Sequence, residues 1–533
     1  MYPRKLTKAI VSRPDFPVAE TKAGKVRGLL EEDVFIFRGV QYAKAQRFHM
    51  PEPVDPWEGS KEAVIYGPVS PEIHTPIAHD EYNVPHYHYI QDEECHYVNI
   101  WTPTLDKNAR KPVMFWIHGG GFSTGSSIEL YAYDGQELAL WGDVVVVSVN
   151  HRLNCIGYLD LSSFGEEYKY TGNLGQVDLV CALQWVHDNI AAFGGDPDNV
   201  TIMGQSGGGG KVNALMSTPS AAGLFHKAVI QSGLMPGGRD TRPEQSQKIG
   251  EAVAAELGLT KETIKKIETI PYYKLARAAQ SALQKLGLGG MAFGPVRDDD
   301  FYLGSASINP FMESTKNVPM LIGSVLGEFD QNYNQIYAPG SKNDWDEETV
   351  NAVFEKVFGD KAEAVKAAQK KAYPKAKVID AVFTNKAMRI AARDYCKKRF
   401  EEGCAPAYNW LFNLECPMNN GTVPWHNAEE AYMFHNANYL EASYIPGVSE
   451  DLQDQMTGAW VAFARTGNPN HAGMKNWDPV DDRNGACMIF DKETRQECHH
   501  DDELMEVMPQ KPMGIGNDRA PQTTFGGGPR QSL

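Results

Sequence analysis

Short apolar runs alternate with longer amphipathic stretches along most of the chain. The runs include PVMFWIHGG (112–120), VVVVSVN (144–150), NVTIMGQS (199–206), AVIQSG (228–233), PMLIGS (319–324) and AYNWLFNL (407–414). They are rich in β-branched and aromatic residues, and several end in glycine or serine. A strand buried on both faces needs no polar alternation and reads in this way. Between them, GQVDLVCALQWVHDNIAAFGG (175–195) sets Val177, Val180, Leu183, Trp185, Val186 and Ile190 at helical spacing, with Gly194 and Gly195 to stop the helix. Segments near 244–287, 346–372 and 377–402 carry longer amphipathic patterns rich in Ala, Lys and Glu. Strands alternating with helices predict an α/β class, with a mostly parallel sheet covered on both faces. No linker or repeat interrupts residues 1–510, which are expected to form one domain whose helical inserts, around 244–290 and 346–402, build a cap. Residues 511–533, rich in Gly, Pro and polar side chains, are expected to form a loosely ordered tail.

Composition narrows the partners more than the fold. At 533 residues, 42% hydrophobic and 22% charged, the chain has the make-up of a globular protein. A net charge of −17 argues against nucleic acid and against anionic membrane surfaces. No run of about 18 apolar residues is present, so no membrane span is expected. The opening stretch, MYPRKLTKAIVSRPDF, lacks the apolar core of a signal peptide. The 8 cysteines include no C-x-x-C pair and are too few for a disulfide framework in a chain of this length. A cytoplasmic location is the plain expectation. Oligomeric state is left open.

The stretch IMGQSGGGGKV (202–212) carries the first chemical signal. A phosphate-binding loop would need glycine at 205 and Ser or Thr after Lys211, and the chain has Gln205 and Val212. A nucleophile elbow needs G-x-S-x-G, which Gly204, Ser206 and Gly208 supply. A serine hydroxyl is inert at neutral pH, so such a site needs a base to take its proton and backbone donors for the oxyanion. FWIHGGGFSTG (115–125) sets Gly119, Gly120 and Gly121 directly after an apolar strand. Gly120, Gly121 and Gly207 are expected to hold the oxyanion, with Gly119 shaping the loop. This chemistry requires neither metal nor organic cofactor, and its expected partner is a small-molecule acyl compound. His74, His79, His86 and His88, with Tyr82, Tyr87 and Tyr89, lie in SPEIHTPIAHDEYNVPHYHYIQDEE (70–94). Without a further ligand pattern they suggest a polar, aromatic lip to the site rather than a metal centre.

With both glycine loops in view, the chain resembles the type-B carboxylesterases, the α/β-hydrolase family that includes the cholinesterases, and looks like a bacterial-type member. The matching motifs are FRGVQYA (37–43), EECHYVNIWTP (93–103), HGGGFSTG (118–125), VNHRLNCIGYL (149–159), the run from 172 to 209, QSG (231–233) and WVAFARTGNPN (460–470). They follow the family's order over almost the whole chain. The resemblance implies an α/β-hydrolase fold and a triad in the order Ser, Glu, His. Glu328 in LIGSVLGEFD (321–330) fits the acid, with Asp330 a close alternative. His426 in GTVPWHNAEEAYMF (421–434) fits the base, with Glu429 and Phe434 at matching offsets. The resemblance also implies an ion pair between Glu93 and Arg152 and a supporting position for Ser232.

The chain departs from that pattern in ways that bear on function. Gln205 stands where the family usually has glutamate, and Gly207 where it usually has alanine, which should loosen the turn. No cysteine precedes Cys95, so the loop disulfide of animal members cannot form here. The loop 70–94 has no tryptophan, which leaves choline-ester specificity unsupported. The expected function is hydrolysis of carboxylic esters through an acyl-enzyme. Amide, lactone or carbamate bonds are alternative targets, and a non-catalytic binding protein on the same fold is the alternative from another class. Aromatics at Phe293, Phe329, Tyr333 and Trp410, with those of HYHY (86–89), suggest a pocket for aromatic or bulky esters.

Overall fold

The computed structural model describes residues 8–72, 84, 86–238, 241–330 and 337–510. His74, His79, Tyr82, Tyr333 and the tail 511–533 lie outside these described residues.

The apolar runs form the middle of an 11-stranded sheet. In chain order its strands are β1 (Leu29–Glu31), β2 (Val34–Gln41), β3 (Tyr97–Thr102), β4 (Lys111–Ile117), β5 (Val145–Val149) and β6 (Gly195–Gln205). They continue with β7 (Lys227–Gln231), β8 (Met320–Val325), β9 (Ala407–Phe412), β10 (Ala486–Phe490) and β11 (Arg495–Cys498). Their spatial order is β11-β10-β9-β8-β7-β6-β4-β5-β3-β2-β1. From β5 to β10 every neighbour pair is parallel. Antiparallel pairing is confined to the two ends of the sheet.

Pleating explains why the central runs carry no polar alternation. Along β4, Val113, Phe115 and Ile117 enter one buried cluster, while Met114 and Trp116 enter the cluster on the opposite face. Helices cover both faces. The helix expected from 175–195 is observed as α1 (Leu174–Asn189), followed by one 3-10 turn and Gly194 at φ 74°. It packs Leu179, Leu183 and Val186 on the first face, beside α2 (Gly207–Leu215). The amphipathic inserts fold as α3 (Pro243–Glu256), α4 (Tyr272–Lys285), α5 (Glu347–Phe358), α6 (Ala362–Ala372) and α7 (Lys386–Glu401). The α3 and α4 helices bury Ile249, Val253, Leu275 and Ala279 in a cluster apart from the sheet, and α5 with α6 build another around Phe354 and Val365. The opposite face of the sheet is covered by α8 (Ser449–Thr466), through Leu452, Met456, Trp460 and Phe463.

Candidate active site

Three adjacent parallel strands end in one row. Gln205 at the end of β6 pairs with Gln231 of β7, which pairs with Gly323 of β8. Beyond that row the chain turns sharply three times, with Ser206 at φ 55°, Ser232 at φ 47° and Glu328 at φ 49°. Positive φ is uncommon for residues with a Cβ and persists only where the surroundings enforce it. The enforcement is visible: the Ser206 amide donates to Gln231 O at 2.8 Å, and the Ser232 amide to Gly323 O at 2.8 Å. Ser206 thus caps the strand and opens α2, whose N-terminal partial positive charge faces the same side.

The segment after β9 returns across this row. Trp425 forms a parallel bridge with Glu328, which brings the next residue, His426, onto the acid. His426 Nδ1 is in hydrogen-bond contact with Glu328 Oε2. The other oxygen, Oε1, accepts from Ser232 Oγ at 2.6 Å and from the Val325 amide at 3.0 Å. Glu328 is buried, so these contacts replace water in holding its orientation. Asp330 instead accepts from Asn385 Nδ2 at 2.8 Å, and the structure pairs His426 with Glu328. His426 Nε2 is buried and has no hydrogen-bond partner among the described residues. Phe329 lies over the imidazole with ring centroids 3.8 Å apart. The Gln205 side chain donates its amide to the His426 carbonyl. A glutamate at 205 has no such proton to offer at neutral pH, so the departure from the family pattern carries a contact of its own.

The glycine loop after β4 closes over Ser206. Gly120 turns at φ 76°, and a Cβ there would meet Thr124 O at 2.2 Å. Its carbonyl accepts from the amides of Ser123 and Thr124, at 3.2 and 3.0 Å. Among the described residues, no group accepts a hydrogen bond from the amides of Gly120, Gly121 or Gly207. At Gly207 the absent side chain makes room for the loop: a Cβ there would lie 2.1 Å from Gly121 O and 2.4 Å from Gly121 N.

Close to Glu328 sits Glu429, fully buried, with Oε1 accepting from Gln231 Nε2 at 3.3 Å. Burial, and after it the charge of Glu328, push its pKa up to about 8. The folded protein therefore binds a proton that the unfolded chain releases at about pH 4.3, and stability falls as pH rises from there through about 8. Glu429→Gln mimics the protonated acid. It is expected to match wild type at about pH 4 and to gain on the order of 2–4 kcal/mol over it by about pH 9. Urea midpoints taken across that range check this, and a gap that does not widen with pH counts against it.

Other expectations need correction. Glu93 and Arg152 do not pair: Arg152 forms a buried fork on Asp178 at 2.7 and 2.9 Å, while Glu93 is held by Arg47. Asp178, on α1, is fully buried and also accepts from the Arg152 backbone amide at 3.0 Å, while the partly exposed Glu93 is taken by Arg47. Burial alone would raise the Asp178 pKa, but the charge of Arg152 overrides it and holds the carboxyl well below its ordinary range. Trp410 and Phe293 are core residues, the former packed on Trp460 with centroids 5.3 Å apart. Tyr87 packs on Tyr131 outside the cleft lining. The cleft beside Ser206 is lined by Phe122, Leu234, Tyr302, Phe329 and Met388, with Asn213 and Ser305 as polar points. Of the aromatics singled out in the sequence that fall among the described residues, Phe329 is the one that lines it.

Residues 15–507 match the model of the carboxylesterase family. The para-nitrobenzyl esterase of Bacillus subtilis (strain 168) is 32% identical, over 89% of this chain and 95% of its own length. The phenmedipham hydrolase of Pseudarthrobacter oxydans is also 32% identical, over 86% of this chain and 92% of its own. Among solved structures, an esterase from anaerobic Clostridium hathewayi that hydrolyzes aliphatic aromatic polyesters is 42% identical, with a TM-score of 0.87. That match covers 94% of this chain and 99% of the other.

Proposed function

The chain belongs to the carboxylesterase family and is a carboxylic-ester hydrolase, and from that premise we propose that Ser206 opens the ester through an acyl-enzyme. The observation that carries this reading is the contact between His426 Nδ1 and buried Glu328, set beside the strained turn at Ser206. Bound to that carboxylate, His426 holds its proton on Nδ1 and keeps Nε2 open as a base. Ser206 Oγ attacks the carbonyl carbon while Nε2 takes its proton. The negative charge moves to the carbonyl oxygen, where the amides of Gly120, Gly121 and Gly207 receive it. Collapse breaks the ester C–O bond, and the proton on Nε2 goes to the leaving alcohol. Water, deprotonated by the same nitrogen, then attacks the acyl carbon and releases the acid and Ser206.

Residues 1–510 act in this reading as one catalytic unit, with the inserts at 244–290 and 346–402 shaping access. The rings of Phe122, Tyr302 and Phe329 in the cleft wall favour aromatic acyl groups. The solved relative's action on aliphatic aromatic polyesters supports the same preference. The test is labelling with a fluorophosphonate. One equivalent is expected to abolish hydrolysis and to be recovered on the peptide that contains Ser206. Label on another residue, or a labelled enzyme that still turns over, overturns the assignment. A flat preference for short aliphatic esters over aryl and cinnamoyl esters overturns the substrate class.

A further inference from the structure

The stretch 202–212 contains one charged residue that neither the turn nor the triad uses. Lys211 follows Ser206 by five positions on α2, and its side chain is fully buried. A buried ammonium costs several kcal/mol unless it is paired and hydrogen-bonded. Lys211 forms no salt bridge among the described residues. Its Nζ donates to the carbonyls of His118, at 3.0 Å, and Gly119, at 3.4 Å. The Phe122 ring stands 5.8 Å from the same atom. Those carbonyls belong to the glycine loop that closes over Ser206.

A trans peptide is planar, so its C=O and N–H point in opposite directions. The His118 carbonyl shares a plane with the Gly119 amide, and the Gly119 carbonyl with the Gly120 amide. We propose that Lys211 is a positioning residue for ester cleavage: by holding the two carbonyls it fixes the Gly119 peptide and aims the Gly120 amide toward the oxyanion. A hydrogen bond into a carbonyl also polarises the amide behind it, which strengthens the donor. His118 supports the arrangement, with Nδ1 3.1 Å from Gly119 O and its ring stacked on His151 at 5.2 Å. The proposal rests on the reading of Gly120 as an oxyanion donor.

The titratable groups facing Lys211 are Glu129 from the loop after β4, His118 at the end of β4 and His151 after β5. Burial, opposed by the charge of Glu129, lowers the Lys211 pKa to about 7. A neutral amine keeps two N–H donors, so both contacts survive loss of the charge.

The experiment compares Lys211→Met, close in length and without donors, with wild type. Each is normalised to active sites titrated with the fluorophosphonate. Removing an oxyanion donor outright costs about 10²–10³ in kcat, so loss of its aim is expected to cost about 10–100-fold. KM is expected to stay within about threefold, and inhibition by a trifluoromethyl ketone, which mimics the tetrahedral adduct, to weaken by the same factor as kcat. A kcat per titrated site within about twofold of wild type, with only the melting temperature lowered, overturns the proposal and makes Lys211 a purely structural residue. Lys211→Gln retains an amide donor and is expected to recover part of the loss. If Lys211→Met does not fold, the donor-free Lys211→Leu takes its place, and a kcat per titrated site and ketone affinity equal to wild type overturn the proposal. Neither outcome touches the assignment of Ser206, which the labelling tests separately.

Discussion

Ser206→Ala is expected to lower kcat on p-nitrophenyl esters by about 10⁴–10⁶-fold while leaving the fold intact. The size follows from the chemistry. Without Oγ no acyl-enzyme forms, and the remaining catalysis is whatever the glycine amides and the cleft give to direct attack by water. The fold survives because alanine keeps the backbone of Ser206, including φ 55°, and that turn is held by its amide on Gln231 O. Assays over several acyl lengths, on protein whose melting curve matches wild type, decide the matter. Activity retained in the mutant moves the nucleophile elsewhere. A folded wild type inert across the whole series revives the non-catalytic alternative.

Glu328→Gln is the second large effect, with kcat expected to fall by about 10³–10⁴-fold. The reason lies in the number of oxygens. The carboxylate gives one oxygen to His426 Nδ1 and the other to Ser232 Oγ and the Val325 amide. Glutamine has one oxygen. If it faces Ser232 and Val325, its NH₂ meets Nδ1, which must then accept, and the imidazole proton moves to Nε2. In that tautomer the histidine cannot take the serine proton. If the oxygen faces His426, two donors are left without an acceptor in a buried site, at about 1–3 kcal/mol each. The measurement is kcat on protein titrated for active sites. A loss of less than about tenfold excludes Glu328 as the orienting acid and reopens Asp330.

How much of this was readable in the chain depends on the local physics. Strands β4 to β9 were plain because burial on both faces leaves continuous apolar runs. Strands β2 and β3 were not singled out as strands, since VFIFRGVQ is broken by Arg38 and Gly39 and YVNIWT by Asn99. The short β10 sits among polar turns and gives little signal. Ser206 and the glycine loop announce themselves by composition at strand ends. Glu328 and His426 lie on irregular segments with no periodicity, and only resemblance to a family singled them out. Which carboxylate pairs with the histidine is decided by the bridge between Glu328 and Trp425, a long-range register absent from any local pattern. The same limit explains Arg152, whose partner Asp178 is on a helix 26 positions away, and Trp410, whose apolar surroundings read alike for a pocket and a core.

The contact at Gly207 ties two segments of the chain together. Where the family usually carries alanine, the Gly121 backbone occupies the space a methyl group would fill, 2.1 Å from its carbon. Gly207→Ala alone would force the loop after β4 to shift, so the substitution is expected to behave as one half of an epistatic pair, tolerated only together with a change that lets residues 119–121 move outward.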